Sequence, residues 1–382
     1  MLTNDDVLMV LASVAGPDGR TPLSQSGAIS GISIKDDQVF VAIAVAPDEA
    51  ATLESMRMEA EVAIRAMPGV GSALVILTAE TERQNGHGHG HGHGHGHAPN
   101  GGGGHQNNAP PQSNGIPGIK QIIAVASGKG GVGKSTTACN LALGLSRLGL
   151  KIGLLDADLF GPSVPRLFGL NAKPELAADG KSLAPLEKYG VKIMSIGFLA
   201  EEGAAIVWRG PMVMSALTQL LREVAWGELD VLVVDMPPGT GDAQLTMAQT
   251  VPLAGAVIVS TPQDLALIDA RRGVAMFQQV RIPLLGIVEN MSYFLCPHCG
   301  TRSDIFAHGG ARLEAERLGV AFLGEVPLDM AIRETSDDGR PVVVSAPESA
   351  HAASYMAIAE RVLASLQENA SQTRRTPKIV MG

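Results

Sequence analysis

Apolar positions follow one rule in the second two thirds of the chain and another at its start, with an unpatterned stretch between. From Gly118 onward, short continuous apolar runs alternate with segments that are apolar every three to four residues. The runs predict strands over 121–126, 151–156, 191–196, 231–235, 255–260, 284–288 and 321–325. Between them the helical period predicts helices over 136–148, 212–226, 243–249, 264–279 and 311–318, and an amphipathic one over 349–367. Strands that are apolar on both faces need covering on both sides. The expected architecture is therefore α/β, a doubly wound and mostly parallel sheet.

Residues 1–81 read differently. A helix over 3–15 with its cap at Thr3 or Asn4, strands over 29–34 and 39–45, a helix over 48–67 and a strand over 72–78 make a small α+β domain. It contains no Cys or His and shows no catalytic constellation, which suits docking or regulation. Residues 82–117 have no apolar period and are rich in Gly, Pro, Asn and Gln, so they predict a disordered linker. Seven of the ten histidines sit there, most in a strict His-Gly alternation over 86–97. Such a tract can chelate nickel, zinc or cobalt, or serve only as a spacer. The second domain spans 118–368 and a polar tail 369–382.

Composition then narrows the classes. The 382 residues are 45% hydrophobic, ample for a sizeable core, and carry a formal charge of −9. That balance disfavours a passive coat on nucleic acid. No apolar run approaches the roughly 18 residues of a membrane span, and the start, Met1-Leu2-Thr3-Asn4-Asp5-Asp6, lacks the basic region of a secretory signal. Three cysteines do not make a disulfide framework. The expectation is a cytoplasmic protein with no membrane and no nucleic-acid partner.

The chemistry begins after the first strand of the second domain. Gly128-Lys129-Gly130-Gly131-Val132-Gly133-Lys134-Ser135, followed by Thr136, fits the phosphate-cradling loop of nucleotide-binding proteins, between a strand and a helix as the motif requires. Backbone N–H groups would hold the anion, Lys134 would reach the β/γ-phosphates and Ser135 would bind Mg²⁺. A second lysine, Lys129, resembles that of the deviant phosphate-loop ATPases. There it crosses a dimer interface to the partner's nucleotide, so the resemblance implies an ATP-dependent homodimer and a charge supplied in trans.

Carboxylates follow at strand ends, where open α/β sheets bind ligands. Asp156 and Asp158 close the second strand, and Asp235 closes the apolar run Val231-Leu232-Val233-Val234. A carboxylate presented as Asp235 is would hold Mg²⁺ through a water, opposite Ser135. The loop Met236-Pro237-Pro238-Gly239-Thr240-Gly241-Asp242 suits sensing of a γ-phosphate. Asn290, at the end of another strand, is either a turn residue or a partner for an adenine edge.

Cys296-Pro297-His298-Cys299-Gly300 offers two thiolates three positions apart, enough to grip one metal ion or one edge of an iron–sulfur cluster. Either centre wants four ligands. The remaining cysteine, Cys139, lies in the helix after the phosphate loop and reads as core. A symmetric dimer would supply the missing pair. A bridging iron–sulfur cluster, a bridging zinc and a redox pair all remain open on these residues alone.

The series as a whole resembles the Mrp/ApbC family of iron–sulfur cluster carrier ATPases. It comprises the loop with its extra lysine, Asp156-Ala157-Asp158-Leu159-Phe160-Gly161-Pro162-Ser163, Trp208-Arg209-Gly210-Pro211-Met212, the Asp235–Asp242 segment, Ser260-Thr261-Pro262-Gln263, Glu289-Asn290-Met291-Ser292 and the cysteine turn. The resemblance covers about 118–366. It implies a P-loop NTPase fold, Asp158 as the group that orients the attacking water, Lys134 and Lys129 in catalysis, and Asn290 on adenine. It also implies ATP and Mg²⁺ as cofactors and a [4Fe–4S] cluster held by Cys296 and Cys299 of both subunits. Apoproteins would receive the cluster and an upstream assembly scaffold would supply it. More loosely, 1–80 resembles the small iron–sulfur-assembly domain often fused ahead of such carriers. Two alternatives use the same core: a MinD/ParA-like spatial switch, for which the final helix is too mixed in charge, and a zinc- or nickel-handling NTPase loaded by the His-Gly tract.

Overall fold

The computed structural model describes residues 2–35, 38–45, 53–79, 115–158, 161–198 and 210–373. The His-Gly tract over 86–97, Leu159, Phe160, Trp208, Arg209 and the basic stretch 374–378 lie outside the described residues. Contacts divide the chain into two units, Met1–Ser113 and Asn114–Gly382.

The first unit opens with α1 (Asn4–Leu11). Thr3 is its cap: Asp6 N–H donates to the Thr3 hydroxyl, and the Thr3 backbone N–H donates to the Asp6 carboxylate at 2.9 Å. The helix stops four residues short of the expected end, ahead of Gly16 and Pro17. Strands β1 (Ile29–Lys35) and β2 (Gln38–Val45) pair antiparallel. Helix α2 (Glu54–Arg65) then crosses over to β3 (Ser72–Ala79), which runs parallel to β2. Val7, Leu11, Val41, Ile43, Ile64 and Val75 form its core. This is the expected α-β-β-α-β order.

The second unit begins with β4 (Ile119–Ala126), α3 (Lys134–Arg147), β5 (Ile152–Asp156), the short α4 (Val164–Leu167), β6 (Leu186–Lys188) and β7 (Val191–Ser195). It continues with α5 (Gly210–Arg222), β8 (Leu229–Asp235), α6 (Asp242–Thr250), β9 (Gly255–Ser260), α7 (Asp264–Gln279) and β10 (Leu284–Glu289). A two-stranded ribbon, β11 (Phe294–Leu295) and β12 (Arg302–Ser303), precedes α8 (Gly310–Leu318) and β13 (Phe322–Glu325). Helices α9 (Met330–Asp337), α10 (Val342–Ser345) and α11 (Ala350–Thr373) close the chain.

Eight strands form one sheet in the order β13-β10-β9-β4-β8-β5-β7-β6, parallel throughout except for the β6–β7 edge pair. The chain leaves β4 toward one side of the sheet and later returns to the other, so the switch of direction falls at β4. Its carboxyl end is where such a sheet opens a crevice. All seven expected strands are present. The unforeseen β6 is a three-residue edge strand, too short and polar for a pattern. Tyr189 (φ 55°) and Gly190 (φ 76°) turn it back onto β7, both left-handed as a two-residue hairpin requires. Helix α5 ends at Arg222, not 226. Trp226 is buried all the same, because Leu183 and Ala225 join two loops by backbone hydrogen bonds and the indole N–H donates to Leu220 O. Burial without helix had mimicked the helical period. Helix α11 runs on to Thr373, beyond the expected end, and packs against α3 where Gly144 lets Ala359 approach.

Candidate functional site

The phosphate loop joins β4 to α3. Gly133 sits at φ +80°, a left-handed conformation that favours glycine, and delivers the chain into the first turn of α3. A side chain there would run into the amide of Asn290, and one at Gly128 into the backbone of Asp269 in α7. The loop is thus clamped between the body of α7 and the residue that follows β10. Within it, the Ser127 hydroxyl donates to the carbonyl of Lys129 at 2.8 Å.

Lys134 is buried, and its ammonium lies 2.6 Å from Asp235 Oδ1, 3.1 Å from the Ser135 hydroxyl and 3.6 Å from Asp158 Oδ2. Residues more than a hundred positions apart therefore meet at one point, because β4, β8 and β5 are neighbours in the sheet. Asp235 is fully buried, and its other oxygen, Oδ2, accepts no hydrogen bond. Burial raises its pKa even against the pull of the Lys134 ammonium. A buried carboxylate oxygen in that condition, next to the Ser135 hydroxyl, fits the oxygen-donor chemistry of Mg²⁺.

Asp156 and Asp158 part company. Asp156 is fully buried; its oxygens accept from the backbone N–H of Asp158 (3.2 Å) and Val164 (3.0 Å) and from the Ser195 hydroxyl (3.0 Å). It braces the turn after β5. Burial first, and then the charge of Asp235, push its pKa up to about 7. Asp158, two residues on, reaches the Lys134 ammonium instead.

The loop after β8 is tied to the same place. Met236 N–H donates to Val125 O at 3.0 Å and Gly239 N–H to Ser127 O at 2.9 Å, so it lies against the entrance of the phosphate loop. The side-chain amide of Gln244, in α6, donates to the carbonyl of Pro237.

Asn290 follows β10, and its amide donates to Val132 O at 2.8 Å. The residue is only 5% exposed, and its amide faces the phosphate loop. Six residues later Cys296 opens the turn that joins β11 to β12. Cys296 N–H donates to Thr301 O at 3.0 Å and Gly300 N–H to Cys296 O at 2.8 Å. Cys296 is half-buried and Cys299 exposed. Hydrogen bonding from Thr301, whose hydroxyl oxygen lies 3.2 Å from the Cys299 sulfur, lowers the Cys299 pKa toward the metal-binding thiolate. Cys139 is fully buried in α3, and that burial pushes its thiol well above the usual range. It behaves as the core residue expected.

Sequence reasoning gave no role to Glu289 and Ser292, though it named their motif, and passed over Arg302, His308 and Glu325; the five cluster at the foot of the cysteine turn. Glu289 and Glu325 carried the signal used for Asp235, a carboxylate closing an apolar strand; His308 carried none.

Comparison with known proteins agrees with this geometry. The family model described as NUBPL iron-transfer P-loop NTPase matches residues 118–363, and that described as iron–sulfur cluster assembly protein matches 4–75. A Synechocystis protein named iron–sulfur cluster carrier protein is 42% identical over 366 residues, covering 95% of this chain and 97% of its own. An Arabidopsis thaliana protein named iron–sulfur protein required for NADH dehydrogenase, mitochondrial, is 59% identical over 252 residues, 66% of this chain and 80% of its own. Among solved structures, the ADP complex of an Archaeoglobus fulgidus nucleotide-binding protein, in which cobalt was found, is 44% identical. It superposes with a TM-score of 0.52 over 58% of this chain and 87% of its own. The resemblance carried by the motif series is borne out, and the chain belongs to the iron-transfer P-loop NTPases of the NUBPL type.

Proposed function

We propose that this chain is an ATP-hydrolysing carrier of iron–sulfur clusters, which takes up a [4Fe–4S] cluster as cargo on Cys296 and Cys299 of two subunits and passes it to apoproteins. The observation that carries the reading is the pair of accessible thiols on one short ribbon, one of them biased to thiolate, with the third cysteine buried elsewhere. Two thiolates per chain fall short of the four a cluster wants, which favours a homodimer with the cargo on its axis. Proteins named as carriers are relatives over most of this chain.

In this reading the Lys134 ammonium leaves Asp235 for the β/γ-phosphates of ATP. Ser135 and Asp235 hold Mg²⁺, which neutralises phosphate charge when bound. Asp158 orients the attacking water, and Lys129 of each subunit serves its partner's nucleotide. The N–H groups from Gly128 to Thr136 cradle the phosphates. Asn290 supports that cradle, with adenine as its other candidate contact. An upstream assembly scaffold would supply the cargo. Among the described residues no helix is long and apolar enough to cross a membrane.

The test is anaerobic reconstitution with iron and sulfide, on the parent chain and on Cys296→Ala/Cys299→Ala. The parent is expected to gain a broad absorption near ~400 nm and about four irons per dimer, both lost in the variant with nucleotide binding kept. A colourless parent holding stoichiometric zinc would overturn the reading.

A further inference from the structure

Below the cysteine turn lies a polar group of side chains that the nucleotide and the thiols do not use. Glu289 is fully buried, and the backbone N–H groups of Gly309 (3.2 Å) and Ala311 (2.7 Å) donate to its two carboxylate oxygens. The Ser292 hydroxyl lies 2.5 Å from Glu289 Oε1 and 3.0 Å from Glu325 Oε2. His308 Nδ1 stands 3.4 Å from that hydroxyl and 3.6 Å from Glu325 Oε2. One donor atom each from Glu289, His308 and Glu325 lie within 4.8 Å of one another. His308 and Glu325 keep 40% and 28% of their side-chain surface exposed, which leaves the group open to solvent.

Proton counting marks the place. Glu289 Oε1, the Ser292 oxygen and Glu325 Oε2 are three acceptors in hydrogen-bonding contact, and Ser292 has a single proton to give. Whichever carboxylate it serves, the other faces a lone pair, a contact that a cation or a further proton beside them relieves. Arg302 supplies the cation. One guanidinium nitrogen lies 2.7 Å from His308 Nδ1, 3.1 Å from Nε2 and 3.6 Å from Glu325 Oε2. Both ring nitrogens of His308 thus face this seat, and a neutral imidazole keeps a lone pair on one of them, the state in which it ligates metals. Arg302 also has partners away from this seat: its Nε donates to Asp304 at 3.1 Å, and its guanidinium lies 4.0 Å over the Tyr293 ring.

We propose that Glu289, Glu325 and His308 form a binding site for one divalent transition-metal ion, whose place Arg302 fills when the metal is absent. Two carboxylates and one imidazole suit Fe²⁺, Mn²⁺ or Zn²⁺ better than Mg²⁺ or Ca²⁺, which favour oxygen alone. The donor set is harder than the thiolates above it. Arg302 pairs with Leu295 in the ribbon, and the next pair outward joins Thr301 to Cys296. An ion here would displace Arg302 toward Asp304 and hold the foot of the turn that bears the thiols.

The test uses the full-length chain with Cys296→Ser and Cys299→Ser and with the seven linker histidines replaced by glutamine, so that neither competes. Equilibrium dialysis against Fe²⁺ alone, anaerobic and in excess Mg²⁺ without nucleotide, is expected to give one iron per chain. Glu325→Gln and His308→Ala are each expected to weaken binding at least about tenfold, the low end even for groups that only orient ligands. Both side chains are part-exposed, and unchanged nucleotide affinity in each variant checks the fold. Arg302→Gln is expected to keep the iron and tighten it by about tenfold, since a competing cation is gone. A structural network alone would give no iron in the parent, iron indifferent to Glu325 and His308, or weaker iron in Arg302→Gln, and each of these overturns the proposal. The thiols being absent throughout, this outcome is independent of cluster binding.

Discussion

Asn290→Ala separates two roles for one amide. Val132 is 2% exposed and its carbonyl accepts from Asn290 Nδ2 at 2.8 Å. Alanine leaves that carbonyl buried without its donor, at a cost of about 1–3 kcal/mol. It also removes the group that packs against Gly133. The cost falls on the loop conformation that meets the phosphates. Since about 1.4 kcal/mol is tenfold in affinity, nucleotide binding should weaken by about five- to a hundredfold. Titration calorimetry with ATP, GTP and inorganic triphosphate reads the cause. A loss transmitted through the loop is shared by all three ligands, because all three use the phosphate cradle. A loss confined to ATP would refute the reasoning and return Asn290 to adenine; an unchanged affinity would make the Val132 bond immaterial.

Gly128→Ala should cost more than about tenfold in nucleotide affinity, because its Cβ meets the Asp269 backbone and the loop or α7 must give way; wild-type affinity with the helical circular dichroism intact would contradict this. Asp156 ionises in the unfolded chain near its ordinary value of 3.8 but in the folded chain only near about 7. Its contribution therefore destabilises progressively as pH rises from about 4 to 7, by on the order of 4 kcal/mol at full ionisation. Asp156→Asn should flatten that part of the stability profile, and parallel urea midpoints for parent and variant at pH 5 and pH 8 would count against it. Lys129→Ala should lower ATP hydrolysis by about a thousandfold while single-subunit nucleotide affinity holds, as for other charges supplied in trans; undiminished turnover would sink the trans contact.

Much of the nucleotide site was legible because its signals are local. The glycines, Lys134 and Ser135 are consecutive, and Asp156, Asp158 and Asp235 each close an apolar run. The elements that escaped notice lacked a local signal, whereas Glu289 and Glu325 had one, each closing an apolar strand. Strand β6 is three residues long, and β11 and β12 are two each, too short to carry a period of two. The helix expected to reach 226 failed because burial of Trp226 comes from loop pairing, which leaves the same apolar mark as a helix face.

The sequence by itself determined the α/β class, seven of the eight strands of the large sheet, the phosphate loop and the pair of thiols, because each depends on neighbours within about ten positions. Tertiary structure decided which of these meet. Sheet order, with β4 between β8 and β9 and β5 beyond β8, brings Lys134 to Asp235 and Asp158 while leaving Asp156 to brace a turn. The clamp of Asn290 on Val132 and the gathering of Glu289, His308 and Glu325 likewise depend on chain segments far apart in sequence. Hydrogen bonds and close charges act over a few ångströms, and no local pattern records which distant residues the fold will bring within that range.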